Sequence, residues 1–251
     1  MNSYIKISIC ITLAIIITSC QTTTKFPSGI EKLLTRMQSK VDPLDKIKTI
    51  NTKVIKGNLI KNSKDQNSTI TLKIKRPNKI RFDIVVPGQF TLIKGFDGTK
   101  GWVFNTKFGS KELQGYPYDY LKFQAAFLDP ARDFKKIFSS ISFAGKYKVA
   151  GDECYKLICK PNSTYNIKPI SIFVDIKTAL IKKRITIQGS EETGFFEIST
   201  IFDDYRSVDG ILVPYEIISQ VKDTLMEYKV TSVKWNETIN DSTFTLPENL
   251  K

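Results

Sequence analysis

The sequence predicts a mostly β fold of the α+β class, an antiparallel meander curved over a few helices. Three observations predict it. Apolar residues recur with period two along most of the chain, as in Ile80, Phe82, Ile84 and Val86 set against Arg81 and Asp83. Compact turn signals separate these runs (Pro87-Gly88, Asp97-Gly98, Ala150-Gly151-Asp152, Asp209-Gly210), which leaves no room for the crossovers that parallel strands need. One aromatic stretch near the middle, 116–139, changes to helical spacing and must bury its apolar side against something.

Taken in order, the chain opens with Lys6 and an apolar run from Ile7 to Ile17, broken only by Ser8, Cys10 and Thr12. The run is shorter than the ~20 residues of a membrane span and reads as an export signal. It ends in Ile17-Thr18-Ser19-Cys20, which resembles a bacterial lipobox. On that reading 1–19 is a lipoprotein signal peptide, Cys20 is the lipidated first residue of the mature protein, and 20–28 is a polar tether. An ordinary signal peptide with an incidental cysteine is the competing reading. Lipidation is favoured because the small residues and Cys20 fall where the hydrophobic run stops.

Ile30, Leu33, Leu34 and Met37 place an amphipathic helix over 26–40. Strands follow at 47–60, 68–75, 80–86, 90–92 and 102–104. After the central aromatic stretch they resume at 147–160, 170–175, 180–188, 195–205, 215–221 and 226–235. Within 116–139, Tyr120, Leu121, Ala125, Phe127 and Leu128 predict one helix, and Phe134, Ile137 and Phe138 a second. Asp129-Pro130 divides them, with Pro130 suited to the first turn of the second. Cys154 and Cys159 lie on one strand, about 16 Å apart and on opposite faces, so they read as two separate half-buried thiols.

The chemistry available is narrow. There is no histidine in 251 residues, which removes the usual general base and the commonest transition-metal ligand. Asp203-Asp204 and Glu191-Glu192 are adjacent pairs that would point to opposite faces of a strand or crown a turn. The glycines of 96–101 lack phosphate-loop spacing and mark a hairpin. The expectation is a protein without enzymatic activity, cofactor or metal. A net charge of +13 suits an anionic membrane surface or a solvated lysine-rich exterior, and export disfavours nucleic acid.

What remains is apolar surface. Phe82, Ile84, Phe90, Leu92, Trp102 and Phe104 are expected on one concave face of the sheet. Leu121, Phe127, Leu128, Phe134 and Phe138 are expected to roof it from the helices. Such a layer is plain core if fixed, and an acyl-chain cavity if the roof moves.

These residues sit among motifs that resemble the LolA/LolB-like family, in particular outer-membrane lipoprotein-sorting proteins. The matching stretches are Arg76-Pro77-Asn78-Lys79-Ile80-Arg81, Phe96-Asp97-Gly98-Thr99-Lys100-Gly101-Trp102 and Asp133-Phe134. Gly151-Asp152-Glu153 with Tyr155-Lys156-Leu157, Tyr205 with Val208-Asp209-Gly210, and Phe244-Thr245-Leu246-Pro247-Glu248 complete the set. The resemblance implies that 29–251 is one domain, a strongly curved, unclosed half-barrel with helices plugging its concave face. It further implies a cavity for acyl chains of lipoproteins or other lipids, and a soluble LolA-like carrier as partner. Cys20 gives this chain the anchored topology of the family's receptor. Gln21, where an aspartate would signal inner-membrane retention, fits an outer-membrane location facing the periplasm. A sensor or regulatory module of related fold, detecting lipids or lipoproteins, is the second expectation.

Overall fold

The computed structural model describes residues 26–61 and 64–248; the expected signal peptide and Cys20 lie outside them. The chain enters its sheet in the middle. From β1 (Thr52–Lys61) it steps outward through β2 (Lys64–Lys75), β3 (Lys79–Val86), β4 (Phe90–Phe96), β5 (Gly101–Asn105) and β6 (Gly109–Glu112) to one edge. It resumes at the opposite edge with β7 (Phe138–Val149). It then returns through β8 (Asp152–Pro161), β9 (Ile170–Asp175), β10 (Ile181–Ser190), β11 (Gly194–Val208), β12 (Ile211–Val221) and β13 (Thr224–Trp235). β13 pairs with β1, so two antiparallel meanders join into one 13-stranded sheet whose edges, β6 and β7, stay unpaired with each other.

The link between those edges explains the curvature. Thirteen strands laid flat would measure about 58 Å across at ~4.8 Å per strand. The connection is chiefly α2 (Gly115–Phe127), 13 residues and hence about 20 Å long. It closes because the sheet curls into an open half-barrel and α2 crosses its concave side, touching β10 in one half and β3 to β5 in the other. α1 (Ser28–Val41) lies on the same side, burying Ile30, Leu33 and Met37 at the spacing the sequence gives them. One core cluster gathers α1, Phe123 and Phe127 of α2, and Leu157, Ile170 and Ile172 of the sheet. Another gathers Leu121 and Ala125 of α2 with Ile74, Ile80, Phe96 and Val230.

The central segment departs from expectation. The second helix is a single turn, α3 (Phe134–Ile137), whose Asp133 cap accepts a hydrogen bond from Lys135 N at 2.9 Å. Pro130 precedes it in an irregular stretch rather than opening it. Phe138 begins β7, nine residues before the predicted strand start. The period-two signal fails there because the register slips at Phe138/Ser140 and Phe143/Lys146, and each bulge resets which face a residue occupies. Ala150 and Gly151, both at positive φ (49° and 90°), then form the tight turn into β8. Cys154 and Cys159 are free and buried in different clusters, and burial pushes their thiols up to about 11 and about 12.

Trp102 and Phe104 are not on the concave face. In the β4–β5 hairpin Phe96 pairs with Gly101 across a four-residue loop, held by Asp97, which accepts from Thr99 N and Lys100 N at 2.8 and 2.7 Å. This pairing places an odd-numbered residue beside an even one. Trp102 therefore falls beside Gly95 and Phe104 beside Ile93, on the side away from Phe82. Gly95 is glycine because the indole lies on it; a Cβ there would come within 2.4 Å of Trp102. On this convex side the segment after β13 straps across the sheet. Phe244 is fully buried, and its carbonyl accepts from Trp102 Nε1 at 2.7 Å. Arg81, also facing this side, donates to Thr243 O at 2.9 Å.

Candidate functional site

On the concave side, one end of α2 leaves a gap. A cavity of about 190 Å³ lies between α1, the 127–134 segment and the sheet. Leu34, Met37 and Val41 form its α1 wall, and Phe127, Leu128, Pro130 and Phe134 its roof. Ile55, Leu72, Phe202, Val213 and Trp235 are on its floor. The apolar lining follows from strand parity: Lys53, Ile55, Leu72 and Ile74 face inward on the paired β1 and β2, and Trp235 lies opposite Lys53 on β13. A kink at Asp204 (φ 49°) lets Tyr205 as well as Phe202 line the cavity from β11.

Polar groups punctuate this lining. Lys53, Arg132, Arg184 and Tyr228 all border the cavity. The guanidinium groups of Arg132 and Arg184 stand 5.5 and 5.4 Å from the centre of the Phe127 ring. The Nε atoms of both arginines and the Tyr228 hydroxyl are buried without a hydrogen-bond partner among the described residues. Burial, with Arg132 adding repulsion, pushes the Lys53 ammonium down to about 8, and burial together with the neighbouring Arg184 also lowers Arg132. Asp129 is the carboxylate nearest in effect. It is buried, accepts from Ala131 N at 2.7 Å and lies 3.8 Å from Arg76 Nε, and burial raises its pKa. Tyr228 reaches its position over Gly57, where a Cβ would meet its ring at 2.2 Å and Lys229 O at 2.4 Å. The β1 bulge at Lys56/Gly57 accompanies that close approach.

A second, broader hollow of about 820 Å³ lies at the other end of α2, towards β4 to β6 and the β10–β11 hairpin. Leu121, Tyr116 and Val103 line it, with Lys94, Lys111, Glu112, Glu191 and Glu192 among its polar groups.

Of the residues expected to form the acyl-chain layer, the structure brings Phe127, Leu128 and Phe134 to the first cavity and Leu121 to the second hollow. Phe138 is fully buried against Phe123, Phe127 and Phe134, behind the cavity wall. Phe82 is half-buried against the α2 cluster. Ile84, Phe90 and Leu92 share its face, towards the ends of β3 and β4, without lining the cavity. Trp102 and Phe104 lie on the opposite face. Sequence reasoning passed over the floor of β10 to β13, the α1 wall and the cations. One signal was present: Lys53 has the same strand parity as Ile55, a charge in an inward position. Asp203 and Asp204 pair instead with Lys182 and Arg206, and neither lines the cavity.

An unclosed antiparallel half-barrel with helices across its hollow is a LolA-like fold. A LolA superfamily protein from Nitrosomonas europaea matches with a TM-score of 0.57 at 13% identity, covering 86% of this chain and 97% of that one. A DUF1329 family protein from Desulfovibrio piger matches at 0.59 and 14%, covering 90% and 100%. An outer-membrane lipoprotein-sorting protein domain from Vibrio parahaemolyticus matches at 0.53 and 9%, covering 85% and 94%. No family model matches the sequence, and a search of curated proteins returns no match. At these identities the likeness establishes the fold alone.

Proposed function

We propose that this chain is a non-enzymatic binding protein of the bacterial cell envelope, anchored by lipid at Cys20, which accepts acyl chains of lipids or lipoproteins on its concave side. The observation that carries the reading is the apolar cavity between α1, the 127–134 segment and the sheet. Its volume is below the ~300–1,000 Å³ of a typical small-molecule site, so a long chain enters only as the roof moves. The roof suits such movement, since between α2 and the single turn of α3 it has no regular structure. The Vibrio domain of like fold is a lipoprotein-sorting domain, and sorting is a role that fits an anchored acyl-chain acceptor. A soluble LolA-like carrier is then the donor, and the outer membrane, on its periplasmic side, the site. No described helix is long and apolar enough to cross a membrane, so Cys20 supplies the anchor on this reading.

The direct test is transfer of a purified, acylated lipoprotein from a soluble carrier to membranes with and without this protein, together with binding of a fluorescent fatty acid. Accelerated transfer and saturable binding are expected; neither occurring would end the reading. Metabolic labelling with a fatty acid tests the anchor. Cys20→Ser should abolish incorporation, and label retained on the variant would show that the acceptor lies elsewhere.

A further inference from the structure

We propose that the cavity selects an amphiphile with an anionic head, seating its carboxylate or phosphate against Arg132 and Arg184 with Tyr228 and Lys53 beside them. This deepens the acyl-chain reading and rests on it.

A cavity for a neutral chain needs no charge, and charge in such a place is costly. Moving an ionised side chain out of water disfavours folding by several kcal/mol unless a counter-charge and hydrogen bonds replace the lost hydration. Here three cationic side chains border one small apolar space, and none has a carboxylate within 4 Å among the described residues. Asp129, the one acid whose field reaches Lys53 and Arg132, is engaged with the backbone and Arg76. Buried donors in folded proteins almost always find partners. Yet two guanidinium Nε atoms and one phenolic hydroxyl around the same cavity have none among the described residues.

The donor set fits an oxyanion. Guanidinium groups are planar forks that pair with carboxylate or phosphate oxygens through two parallel hydrogen bonds. Arg132, from the roof, and Arg184, from the floor on β10, both stand within 6 Å of the Phe127 ring centre, and on this proposal one anion engages both elements. Phe134 and Phe202 extend the apolar surface from the two guanidinium groups, one in the roof and one in the floor. An anion there neutralises the repulsion between Arg132 and Arg184, and its hydrocarbon chain continues along Leu34, Met37 and Leu128. Because Arg132 belongs to the roof, head-group binding also draws the roof down on the chain.

The test compares matched pairs of ligands on the full chain by calorimetry, all below their aggregation concentrations. One pair is palmitate and hexadecanol; the other is a monoacylglycerol phosphate and its monoacylglycerol. The anionic member of at least one pair should bind tenfold or more tightly than its neutral partner. The pair with the larger ratio distinguishes a free fatty acid from a phospholipid head group. Arg132→Met and Arg184→Met, made together, should bring that ratio close to one while hexadecanol affinity stays within about threefold. The ligand-free melting temperature of the double variant should be equal or higher, because two half-buried guanidinium groups that repel each other and whose Nε atoms lack partners have been removed. Equal affinity within both pairs, or a preference that survives the double substitution, overturns the proposal and leaves acyl-chain binding standing. Binding of none of the four ligands overturns both.

Discussion

On the convex face Arg81 lies 2.7 Å from Asp83, Lys73 lies 3.2 Å from the same carboxylate, and Lys75 and Lys79 each lie 2.7 Å from Asp241. On the concave face Lys53, Arg132 and Arg184 border a cavity with no carboxylate within 4 Å of them among the described residues. The convex face is closed by its own chain: the C-terminal strap supplies Asp241, the Thr243 and Phe244 carbonyls and the Phe244 ring. The concave face is covered by helices that leave space and unmatched donors. One side thus reads as finished structure; the other, on the proposed function, is completed by a ligand. Truncations on the convex side should cost stability and leave binding alone, and changes around the cavity should alter binding whatever they cost in stability.

The largest effect is expected at Phe244. It is the strap's fully buried anchor on the sheet, and its replacement by alanine should lower stability by about 3–5 kcal/mol in chemical denaturation, with acyl-chain affinity unchanged. Loss of lipid affinity in a still-folded Phe244→Ala protein would break the division between the faces.

Phe127→Ala comes next. Its ring packs on Phe123 and Phe138 but also borders empty space, so the loss expected is smaller than the ~3–5 kcal/mol of a fully packed buried phenylalanine. Affinity for a fluorescent fatty acid should change with it. Trp235 lines the cavity and Trp102 lies under the strap, so bound lipid should alter the emission of a Trp102→Phe protein and not of a Trp235→Phe protein. A full core-sized loss with unaltered affinity would make Phe127 plain core and the roof fixed.

Lys53 gives a smaller, pH-dependent effect. Its ammonium faces Arg132, Asp129 and the Trp235 ring at 6.0 Å, and burial holds it to about 8 against 10.5 in the unfolded chain. Between those values the unfolded chain binds more protons, so stability rises as pH rises. From pH 7 to 9.5 the wild-type protein should gain up to about 2 kcal/mol relative to Lys53→Met. Parallel curves for the two proteins would show that Lys53 is hydrated and charged throughout.

The smallest change is expected from Asp241→Asn. Hydrogen bonds from Lys75 and Lys79 hold Asp241 down to about 2, but the group is exposed. Its contribution is present above pH 4 and fades as pH falls through 2, so the melting curves of wild type and variant should differ slightly at pH 6 and converge in acid. A difference that persists at pH 2 would mean the strap is held by the backbone bonds of Thr243 and Phe244 rather than by charge.

Much of the fold was legible because local rules suffice for it. Alternating apolar residues placed most strands, and Ala150-Gly151 placed a turn that demands positive φ. β6, four mainly exposed residues of sequence Gly109-Ser110-Lys111-Glu112, has no apolar period and left no trace. β7 was obscured by its two bulges. The candidate site was less legible. Phe127, Leu128 and Phe134 were named from the helix, but Trp102 was put on the wrong face because parity carries along a strand and not through a hairpin loop.

The sequence by itself determined the class, the long antiparallel strands, the absence of histidine chemistry and the aromatic segment that had to lie against the sheet. Period, turn residues and composition are local properties, and one chain displays them all. Only the tertiary structure decided that α1 walls the cavity, that β10 to β13 floor it, and that Lys53, Arg132 and Arg184 share it. Those residues lie as many as 131 positions apart in sequence. They meet because β13 pairs with β1 and the curled sheet carries α2 across its hollow, and neither long-range contact has a local signature.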